Sequence, residues 1–284
     1  MLKIENTKVA GWEPAIRGMR NPLNSWSKSD SGFATDSECC LYKTIDGNTI
    51  DYHTEGLHPV DPGYFKDPDD LGFFIGPNDR KLMKTLRDAG KDHAKYRRMI
   101  TVWVDLTGPL YWWKEFDTYK VGTVANSCST MHKIAAKEFT LDDFSHEHLL
   151  SSDDIDRDLD NGAITDATKL ENIPTLAAVL VDGSEAYYAP YGFLAMTCDV
   201  LNHFRELYLE TKDKRYWWQM IQLLPSSYNQ KRTVMLNYEV LANIYPARKA
   251  HKLDEWHTFC DWIRSLPESW IITGEDPEEA EETE

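Results

Sequence analysis

The sequence lacks the local signatures of the commonest nucleotide-binding and hydrolytic sites. It contains no G-x-x-x-x-G-K-[ST] loop, no G-x-G-x-x-G turn, no G-x-S-x-G elbow and no H-E-x-x-H pair. Each of these signatures places backbone N–H groups, a nucleophile or two imidazoles at the spacing that its chemistry needs. Their absence argues against a P-loop NTPase, a Rossmann dinucleotide-binding domain, a hydrolase with a nucleophile elbow and a zinc protease.

Positive charge is also scarce. The chain of 284 residues carries 31 Lys and Arg against 47 Asp and Glu, which gives a formal net charge of -16. Because nucleic-acid binding requires clustered cations that neutralise phosphates, this balance argues against a broad DNA- or RNA-binding surface. A small anionic ligand remains compatible with the balance, since a few neighbouring cations reverse the charge locally.

The sequence has no long apolar run and few cysteines. No stretch approaches the roughly 18 apolar residues that span a membrane, and the first residues lack the apolar core and cleavage site of a secretory signal. We therefore expect an intracellular, cytoplasmic protein without a membrane segment. The five cysteines lack C-x-x-C spacing, so they predict neither a disulfide framework nor a zinc site. They are Cys39, Cys40, Cys128, Cys198 and Cys260.

Two groups of potential metal ligands have the wrong spacing for a metal site. His146 and His148 are too close in sequence to share one helical face. The aspartates of residues 153–160 lack the glycine and the terminal Glu of a calcium loop. We interpret both groups as solvated surface and predict no metal.

The composition is that of a globular protein. With 42% hydrophobic and 12% aromatic residues, the chain can bury a sizeable core. We predict a single domain over residues 1–274 with an irregular insert at about residues 26–77, and a hairpin turn inside that insert at residues 46–48. Residues 275–284 are mostly acidic and are expected to form a disordered tail.

Hydrophobic periodicity predicts an α+β protein. Residues 98–106 alternate between apolar and mixed positions, which is typical of a half-buried antiparallel strand, and Pro109 suits the start of the helix after it. Residues 2–10 and 233–236 are also strand-like. Helical spacing recurs near residues 14–23, 78–90, 190–211 and 213–223 and from Asp254 onwards. We expect Asn78 or Asp79 to cap the second of these helices, and Phe193 and Leu194 to lie on the apolar stripe of the third.

A longer pattern occupies residues 93–120. It begins at His93, continues through the predicted strand to Pro109 and ends in Glu115-Phe-Asp-Thr118-Tyr119-Lys120. This succession resembles the flavin-dependent thymidylate synthase (ThyX) family, in which a His, a strand, a small residue with Pro and a helix lead to Q-x-x-R-H-R. His93 and Pro109 match the family pattern. Glu115 stands in place of the Gln, and only Lys120 keeps a charge of the Arg-His-Arg.

Two further segments resemble the same family. Residues 122–131 keep Asn126 and Ser129 where the family has S-x-N-E-x-S-x-R-Y, but they lose its Glu and its Arg. Residues 224–262 follow the family order with Leu-Pro, Asn237, Asn243, Arg248 and a closing Asp-Glu-Trp helix. The resemblance implies an α+β subunit with an antiparallel sheet and flanking helices.

Two arginines that bind phosphate in the family are replaced here. Ile221 and Glu239 occupy their positions. A guanidinium binds phosphate through two charge-assisted hydrogen bonds that neither replacement can form. The resemblance therefore implies that much of the family's phosphate clamp is missing.

The resemblance also implies a homotetramer in which FAD and a deoxyuridine nucleotide bind between subunits. Carried over by position, the candidate cofactor-binding residues are His93, Tyr119, Lys120, Asn237 and Asn243. The candidate substrate-binding residues are Glu115, Asn126, Ser129 and Arg248. No catalytic residue is assigned.

Several of these residues also have a plain structural interpretation. Arg248 fits the basic end of a helix, where the helix dipole favours a cation, and His93 fits the end of a strand. The tryptophan pairs at residues 112–113 and 217–218 are able to stack on bases, although aromatic residues at helical spacing more often belong to the core.

Three functions stay open on the sequence. The first is a divergent enzyme that uses reduced flavin on a pyrimidine nucleotide. The second is a non-catalytic oligomer that binds or sequesters a nucleotide. The third is a structural oligomer without a ligand. Faithful thymidylate synthesis is disfavoured, because the replaced arginines would hold both the cofactor and the substrate phosphates.

Overall fold

The computed structural model describes residues 2–36, 41–44, 49–51, 58–59, 73–151, 153–154, 157, 176–179 and 185–275. The chain divides into two compact units. The sheet unit comprises Leu2–Leu106, Phe116–Asn126 and Arg232–Glu284, and the helical unit comprises Thr107–Glu115 and Ser127–Lys231. In the described parts of the chain, no helix is both long and apolar enough to cross a membrane.

Helices and strands alternate irregularly along the chain, as an α+β protein requires. The strands are β1 (Lys3–Ala10), β2 (Gly32–Asp36), β3 (Leu41–Thr44), β4 (Thr49–Asp51), β5 (His58–Pro59), β6 (Phe73–Ile75), β7 (Thr101–Pro109), β8 (Val124–Ser127), β9 (Leu176–Val179), β10 (Glu185–Tyr188) and β11 (Asn229–Asn237). The helices are α1 (Trp12–Arg20), α2 (Pro77–Asp88), α3 (Leu110–Phe116), α4 (Thr130–Lys133), α5 (Pro190–Thr211), α6 (Lys214–Leu223), α7 (Tyr238–Arg248), α8 (Asp254–Arg264) and α9 (Trp270–Thr273).

A four-stranded sheet with the order β1-β7-β11-β8 supports the sheet unit. Strand β7 confirms the predicted alternation, because the side chains of one face are almost fully buried while Trp103 on the other face is 37% exposed. The buried residues are Ile100, Val102, Val104 and Leu106. The strand continues to Pro109, so the following helix begins at Leu110. The Leu110 N–H still donates to the Tyr228 carbonyl at 3.0 Å, which extends the ladder past the expected end.

Part of the segment predicted to be irregular forms a second sheet. Its five strands have the order β4-β3-β2-β6-β5, and each neighbouring pair is antiparallel. Leu41 lies opposite Asp51, which confirms the predicted hairpin, although its turn at residues 46–48 lies outside the described residues. The signal was weak because these strands are only two to five residues long.

Helix α2 starts differently from the prediction. It begins at Pro77, and Gly76 takes the N-cap position without a side-chain hydrogen bond. Asp79 is fully buried instead, and its Oδ1 accepts from Arg20 Nε at 2.6 Å. Asp79 therefore does not cap the helix, because its oxygens bind groups outside it.

The other oxygen of Asp79 binds the chain that leads into β2. Asp79 Oδ2 accepts from the Ser29 and Ser31 hydroxyls, each at 2.7 Å. It also accepts from the Asp30 and Ser31 N–H groups, each at 3.1 Å. One carboxylate thus connects α1, residues 29–31 and α2.

The helical unit is centred on α5 and α6. The bounds of α5 match the predicted residues 190–211, and Leu194, Cys198 and Leu201 pack into an apolar cluster with Met220 of α6. Phe193 was expected on the same stripe but is 51% exposed, because the buried face follows Leu194 in steps of four and three residues.

The carboxyl-terminal part of the sheet unit was only partly predicted. Helix α8 buries Trp256, Phe259, Cys260 and Ile263, as expected from their spacing. Helix α9 was missed, and of α7 only its basic end at Arg248 was expected. Pro246 lies inside α7, and an internal proline argues against a helix on sequence grounds.

Candidate functional site

The helical unit contains a cavity of about 240 Å³. Two stretches of chain form its walls, residues 128–143 and residues 228–231. The Cys128 N–H donates to the Lys231 carbonyl at 2.9 Å, and the Gln230 side-chain amide donates to the Cys128 carbonyl at 3.0 Å. These hydrogen bonds bring residues that are about a hundred positions apart to one site.

Lysines dominate the charge of the cavity. Lys133, Lys137 and Lys231 line it, together with a single carboxylate, that of Asp143. Lys137 forms a salt bridge with Asp143, whose side chain is 10% exposed. Among the residues that line the cavity, lysines therefore outnumber acidic residues three to one, in a chain whose net charge is -16. This local reversal of charge suits an anionic ligand.

Hydroxyl groups stand beside these cations. Ser129 and Thr130 line the cavity at the start of α4. The Ser129 Oγ accepts from the His132 N–H at 3.2 Å and lies 2.7 Å from His132 Nδ1. The two contacts with His132 orient the Ser129 hydroxyl, and Ser129 lines the cavity.

An aromatic wall completes the cavity. Phe139 and Tyr228 both line it, with ring centroids 6.5 Å apart in an edge arrangement. Burial raises the pKa of the Tyr228 phenol, and the nearby Asp143 and Cys128 raise it further. The phenol therefore stays neutral at physiological pH and keeps its O–H as a donor.

A second group of candidate residues lies in the sheet unit. Arg248 Nε donates to the Tyr119 hydroxyl at 2.8 Å. The Arg248 guanidinium also stands 4.5 Å from the Trp256 ring centroid and 5.5 Å from that of Tyr119. We call these three residues the Arg248 cluster. Its cation is held by two aromatic faces, which is a stabilising arrangement inside the chain.

Asn237 lies where β11 passes directly into α7. Its Oδ1 accepts from the Val240 N–H at 3.0 Å, so it is the N-cap of the helix. Gly122 has a φ of +80°, and a Cβ there would lie 3.0 Å from Val240 Cγ2 and 3.4 Å from Asn237 Nδ2. The loop that carries Lys120 and Gly122 therefore packs closely against Asn237.

The comparisons with known proteins concern the fold. Two crystal structures of thymidylate synthase X (ThyX) from Helicobacter pylori with FAD and dUMP align over nearly the whole chain. The first has a TM-score of 0.53 and 14% identity over 97% of this chain and 98% of that chain. The second has a TM-score of 0.53 and 15% identity over 96% and 98%. The chain has the ThyX fold. No protein-family model and no curated protein matches the sequence.

On the ThyX fold, one of the four predicted substrate residues lines the cavity. That residue is Ser129. Glu115 is part-buried on α3 in the helical unit, and Asn126 is exposed on β8 in the sheet unit. Arg248 belongs to the cluster described above.

The five predicted cofactor residues all lie in the sheet unit. Tyr119 belongs to the Arg248 cluster, and Lys120 lies on the loop that packs against Asn237. Asn243 binds instead to Lys91, whose Nζ donates to its Oδ1 at 2.6 Å. His93 is exposed in a turn and does not open the strand, since β7 begins at Thr101.

Glu239, which replaces a phosphate-binding arginine of the family, is buried. Its carboxylate lies 3.0 Å from Arg97 Nη2. The partner cation offsets its charge. Among the described residues, no group of three His, Cys, Asp or Glu side chains is placed to hold a metal ion.

Sequence reasoning missed most of the cavity. Lys133 and Lys137 lie one helical turn apart in sequence and directly follow the segment that contains Ser129, which is a signal that was available. Lys231 gave no such signal, because only folding brings residues 228–231 to the same wall.

Proposed function

We propose that this chain binds a pyrimidine nucleotide in the cavity of the helical unit. One observation carries the proposal: the residues that line a cavity containing Ser129 include three lysines and only one carboxylate. Both similar ThyX structures contain dUMP. A deoxyuridine monophosphate is therefore the first ligand to consider.

The lysines take the role of the missing arginines in this proposal. An ammonium group binds phosphate as a point charge, with three donors that rotate freely. Lys133 and Lys231 contact the phosphate, and Ser129 donates a hydrogen bond to it. Lys137 stays paired with Asp143, which holds its ammonium group at the wall. Because such contacts are partly solvated, affinity falls as salt concentration rises.

A flavin in the sheet unit is a second candidate, and one unpaired group favours it. The Thr123 hydroxyl is buried without a hydrogen-bond partner, on the loop that packs against Asn237. The exposed Lys120 lies on the same loop. These residues fit a flavin that accepts hydrogen bonds from Thr123 and whose phosphate pairs with Lys120, and both similar structures contain FAD.

The second candidate would make the chain a divergent enzyme. A bound flavin supplies or removes a hydride. In this chain Lys120 and Asn237 would bind and orient it, and no residue is assigned a proton transfer. If no flavin binds, the nucleotide cavity alone supports the alternative, a non-catalytic protein that binds or sequesters a nucleotide.

We propose that the protein forms a homo-oligomer, a tetramer by analogy with the ThyX family. Both helices of the helical unit leave apolar side chains exposed: Phe193 and Val200 on α5 and Trp218 and Leu223 on α6 are 38–51% exposed. An apolar surface of this kind is often covered by another subunit. Light scattering should report a mass well above 32.8 kDa. A monomer at every concentration tested would refute the oligomer.

Calorimetry with dUMP tests the nucleotide proposal. The double variant Lys133→Ala/Lys231→Ala should bind dUMP more weakly by more than about 1.5 kcal/mol. This value is the lower end of the range for a hydrogen bond to a charged group. Lys81→Ala is the matched control, because Lys81 is also an exposed helical lysine but does not line the cavity. Unchanged affinity in the double variant would place the site elsewhere.

Absorbance of the purified protein tests the flavin candidate separately. Flavin bands that survive gel filtration would favour an enzyme, and Lys120→Ala should then release flavin more readily. A colourless protein that does not bind added FAD would leave only the nucleotide cavity.

A further inference from the structure

A run of cations lies in the sheet unit, although the chain is acidic overall. Residues 81–98 contain seven Lys or Arg and two Asp, against a net charge of -16 for the whole chain. Two of the arginines are paired inside this unit, Arg97 with the buried Glu239 and Arg87 with Asp88. We call residues 81–98 the basic segment. Its other cations are exposed or half-buried, and they are Lys81, Lys84, Lys91, Lys95 and Arg98.

The basic segment joins two helical parts, most of α2 and a 3-10 helix over Lys95–Arg98. The Tyr96 hydroxyl donates to the Met83 carbonyl at 2.9 Å, and both residues are buried, so the two parts pack together. Lys81 and Lys84 are three positions apart and therefore neighbours on α2. The first and last residues of the 3-10 helix share a face for the same reason. Like charges at such spacing repel one another, and a bound anion relieves that repulsion.

Helix α9, which directly precedes Gly274 and Glu275, packs on the basic segment. Arg87 Nη1 donates to the Trp270 carbonyl at 3.2 Å, and its guanidinium stands 5.1 Å from the centroid of the Trp270 ring. Arg97 Nη1 donates to the carbonyl of the next residue of α9 at 3.3 Å. The chain that follows α9 therefore starts beside the basic segment.

Glu275 lies close to a further cation of the basic segment. It accepts from the Tyr245 hydroxyl of α7 at 3.2 Å. Two positions earlier on α7, Asn243 Oδ1 accepts from Lys91 Nζ at 2.6 Å. The residues 276–284 can span about 30 Å when extended, whereas the 12 residues of α2 are about 18 Å long. They are therefore long enough to reach from Glu275 along the whole of the basic segment.

Residues 276–284 carry the complementary charge, with six Asp or Glu and no Lys or Arg. We propose that the basic segment is an anion-binding surface that residues 276–284 of the same chain occupy, so that another polyanion binds there only when they are displaced. Attachment to the same chain gives these residues a high effective concentration at the surface. None of the residues 81–98 lines the nucleotide cavity, so the two sites are separate.

An acidic peptide fits the basic segment better than a nucleic acid does. Proteins that bind single-stranded nucleic acid place aromatic side chains beside their cations, because bases stack on them. Tyr96 is the only Phe, Tyr or Trp among residues 81–98, and it is buried. Carboxylates require no stacking, so cations alone are sufficient to bind them.

Carbodiimide cross-linking of the full chain tests the contact directly, since exposed ion pairs stabilise a fold too little for a melting temperature to report them. The reagent joins a carboxylate and an adjacent ammonium group as an amide, and peptide mass spectrometry locates the link. At low ionic strength, residues 276–284 should link to lysines of the basic segment several-fold more often than to Lys8, an exposed lysine of the same unit. Salt at 1 M, where the screening length is about 3 Å, should remove these links.

Two outcomes of the cross-linking would overturn the proposal. The first is the absence of links to the basic segment, or links to Lys8 at the same frequency. The second appears when isotopically labelled and unlabelled chains are assembled together. Links that join a labelled to an unlabelled chain would show that the acidic residues bind another subunit and not their own chain.

Binding to heparin, a sulfated polyanion, tests whether residues 276–284 shield the surface. Their deletion should tighten heparin binding by about tenfold or more, the gain expected if about a tenth of the chains are otherwise open. Because the deletion also removes six negative charges, it is repeated in Lys81→Glu/Lys95→Glu, where the gain should be several-fold smaller. Lys8→Glu/Lys28→Glu makes the same change of charge at exposed residues outside the basic segment and should keep the full gain. Equal gains in the two double variants would overturn the proposal.

Discussion

The lysine-lined cavity and the Arg248 cluster show two ways in which a protein uses cations. In the cluster, Arg248 donates to Tyr119 and faces Trp256, so the chain itself satisfies the guanidinium. In the cavity, three lysines line the wall together with Ser129 and Thr130, and the one aspartate among the lining residues pairs with Lys137. Position in a family motif therefore says less about ligand binding than the contacts that the folded chain already provides.

The largest expected effect on stability is at Asp79. Its buried carboxylate is paired entirely with groups of the chain itself. Asp79→Ala should lower the free energy of unfolding by about 3–5 kcal/mol, because it leaves the buried Arg20 guanidinium without its counter-ion. Arg20 and Asp79 are 4% and 0% exposed. Chemical denaturation measures the change.

Asp88→Ala is the control on the same helix. Its side chain is 55% exposed and pairs with Arg87 at the surface, where such pairs contribute about 0–1 kcal/mol. Equal losses of unfolding free energy in the two variants would mean that the buried pair of Arg20 and Asp79 stabilises the fold no more than the surface pair does.

Arg248 should affect stability more than ligand binding. Arg248→Ala removes the hydrogen bond to Tyr119 and the contact with the Trp256 face, so we expect a loss of about 1–2 kcal/mol in the free energy of unfolding. Arg98→Ala, an exposed arginine of the same unit, should change it little. If Arg248→Ala instead keeps full stability and weakens FAD or dUMP binding, the cluster is a ligand site and the contrast with the cavity fails.

Cys128 offers a chemical test of the cavity. It is exposed and lines the cavity, whereas Cys198 and Cys260 are buried. Burial raises the pKa of the Cys260 thiol to about 11, so little of the reactive thiolate forms near neutral pH. Iodoacetamide should modify Cys128 faster than Cys198 and Cys260, and saturating dUMP should slow that reaction several-fold.

Peptide mass spectrometry assigns the label to each cysteine, and Cys128→Ser provides the control. Protection of Cys128 by dUMP would support nucleotide binding in the cavity. This test does not require substitution of the lysines. The same labelling rate with and without dUMP, at concentrations where dUMP binds, would show that the nucleotide lies elsewhere.

The smallest expected effect is at the carboxyl terminus. Deletion of residues 275–284 should change the melting temperature very little. Glu275, the described part of this segment, accepts from the Tyr245 hydroxyl at 3.2 Å, lies 3.8 Å from Lys249 Nζ and donates its N–H to the Thr273 hydroxyl at 3.1 Å. Exposed pairs of this kind contribute little. A deletion of residues 276–284 keeps Glu275, and a large loss in that variant would reveal a role for the remaining tail.

Regular periodicity explains which parts of the fold were predictable. Strand β7 and helices α5 and α8 follow a single pattern over nine or more residues, so their position in sequence was sufficient. Helix α7 was only partly predictable, because Arg248 fits its basic end but Pro246 lies inside it. Local propensity there is overridden by burial of residues such as Leu241 and Ile244.

The candidate site was harder to predict than the fold. Ser129 was selected from the motif and does line the cavity. Lys231 carried no signal, because its place at the cavity depends on a hydrogen bond between its carbonyl and the Cys128 N–H that exists only after folding. The exposed His93 shows the opposite error, since it matches the motif at a position where the chain only turns.

The carboxylates of Asp30 and Asp79 also fix both ends of the segment that carries β2 to β6. Asp79 binds Ser31 at one end, and the Gly76 N–H donates to the Ser31 hydroxyl at 3.0 Å at the other. Asp30 accepts from the Asn78 N–H at 2.8 Å. Closing a loop of any length between two points that are already joined adds little entropy cost. The contacts of Asp30, Asp79 and Ser31 therefore hold the start of β2 beside the start of α2 whatever the length of chain between β2 and β6.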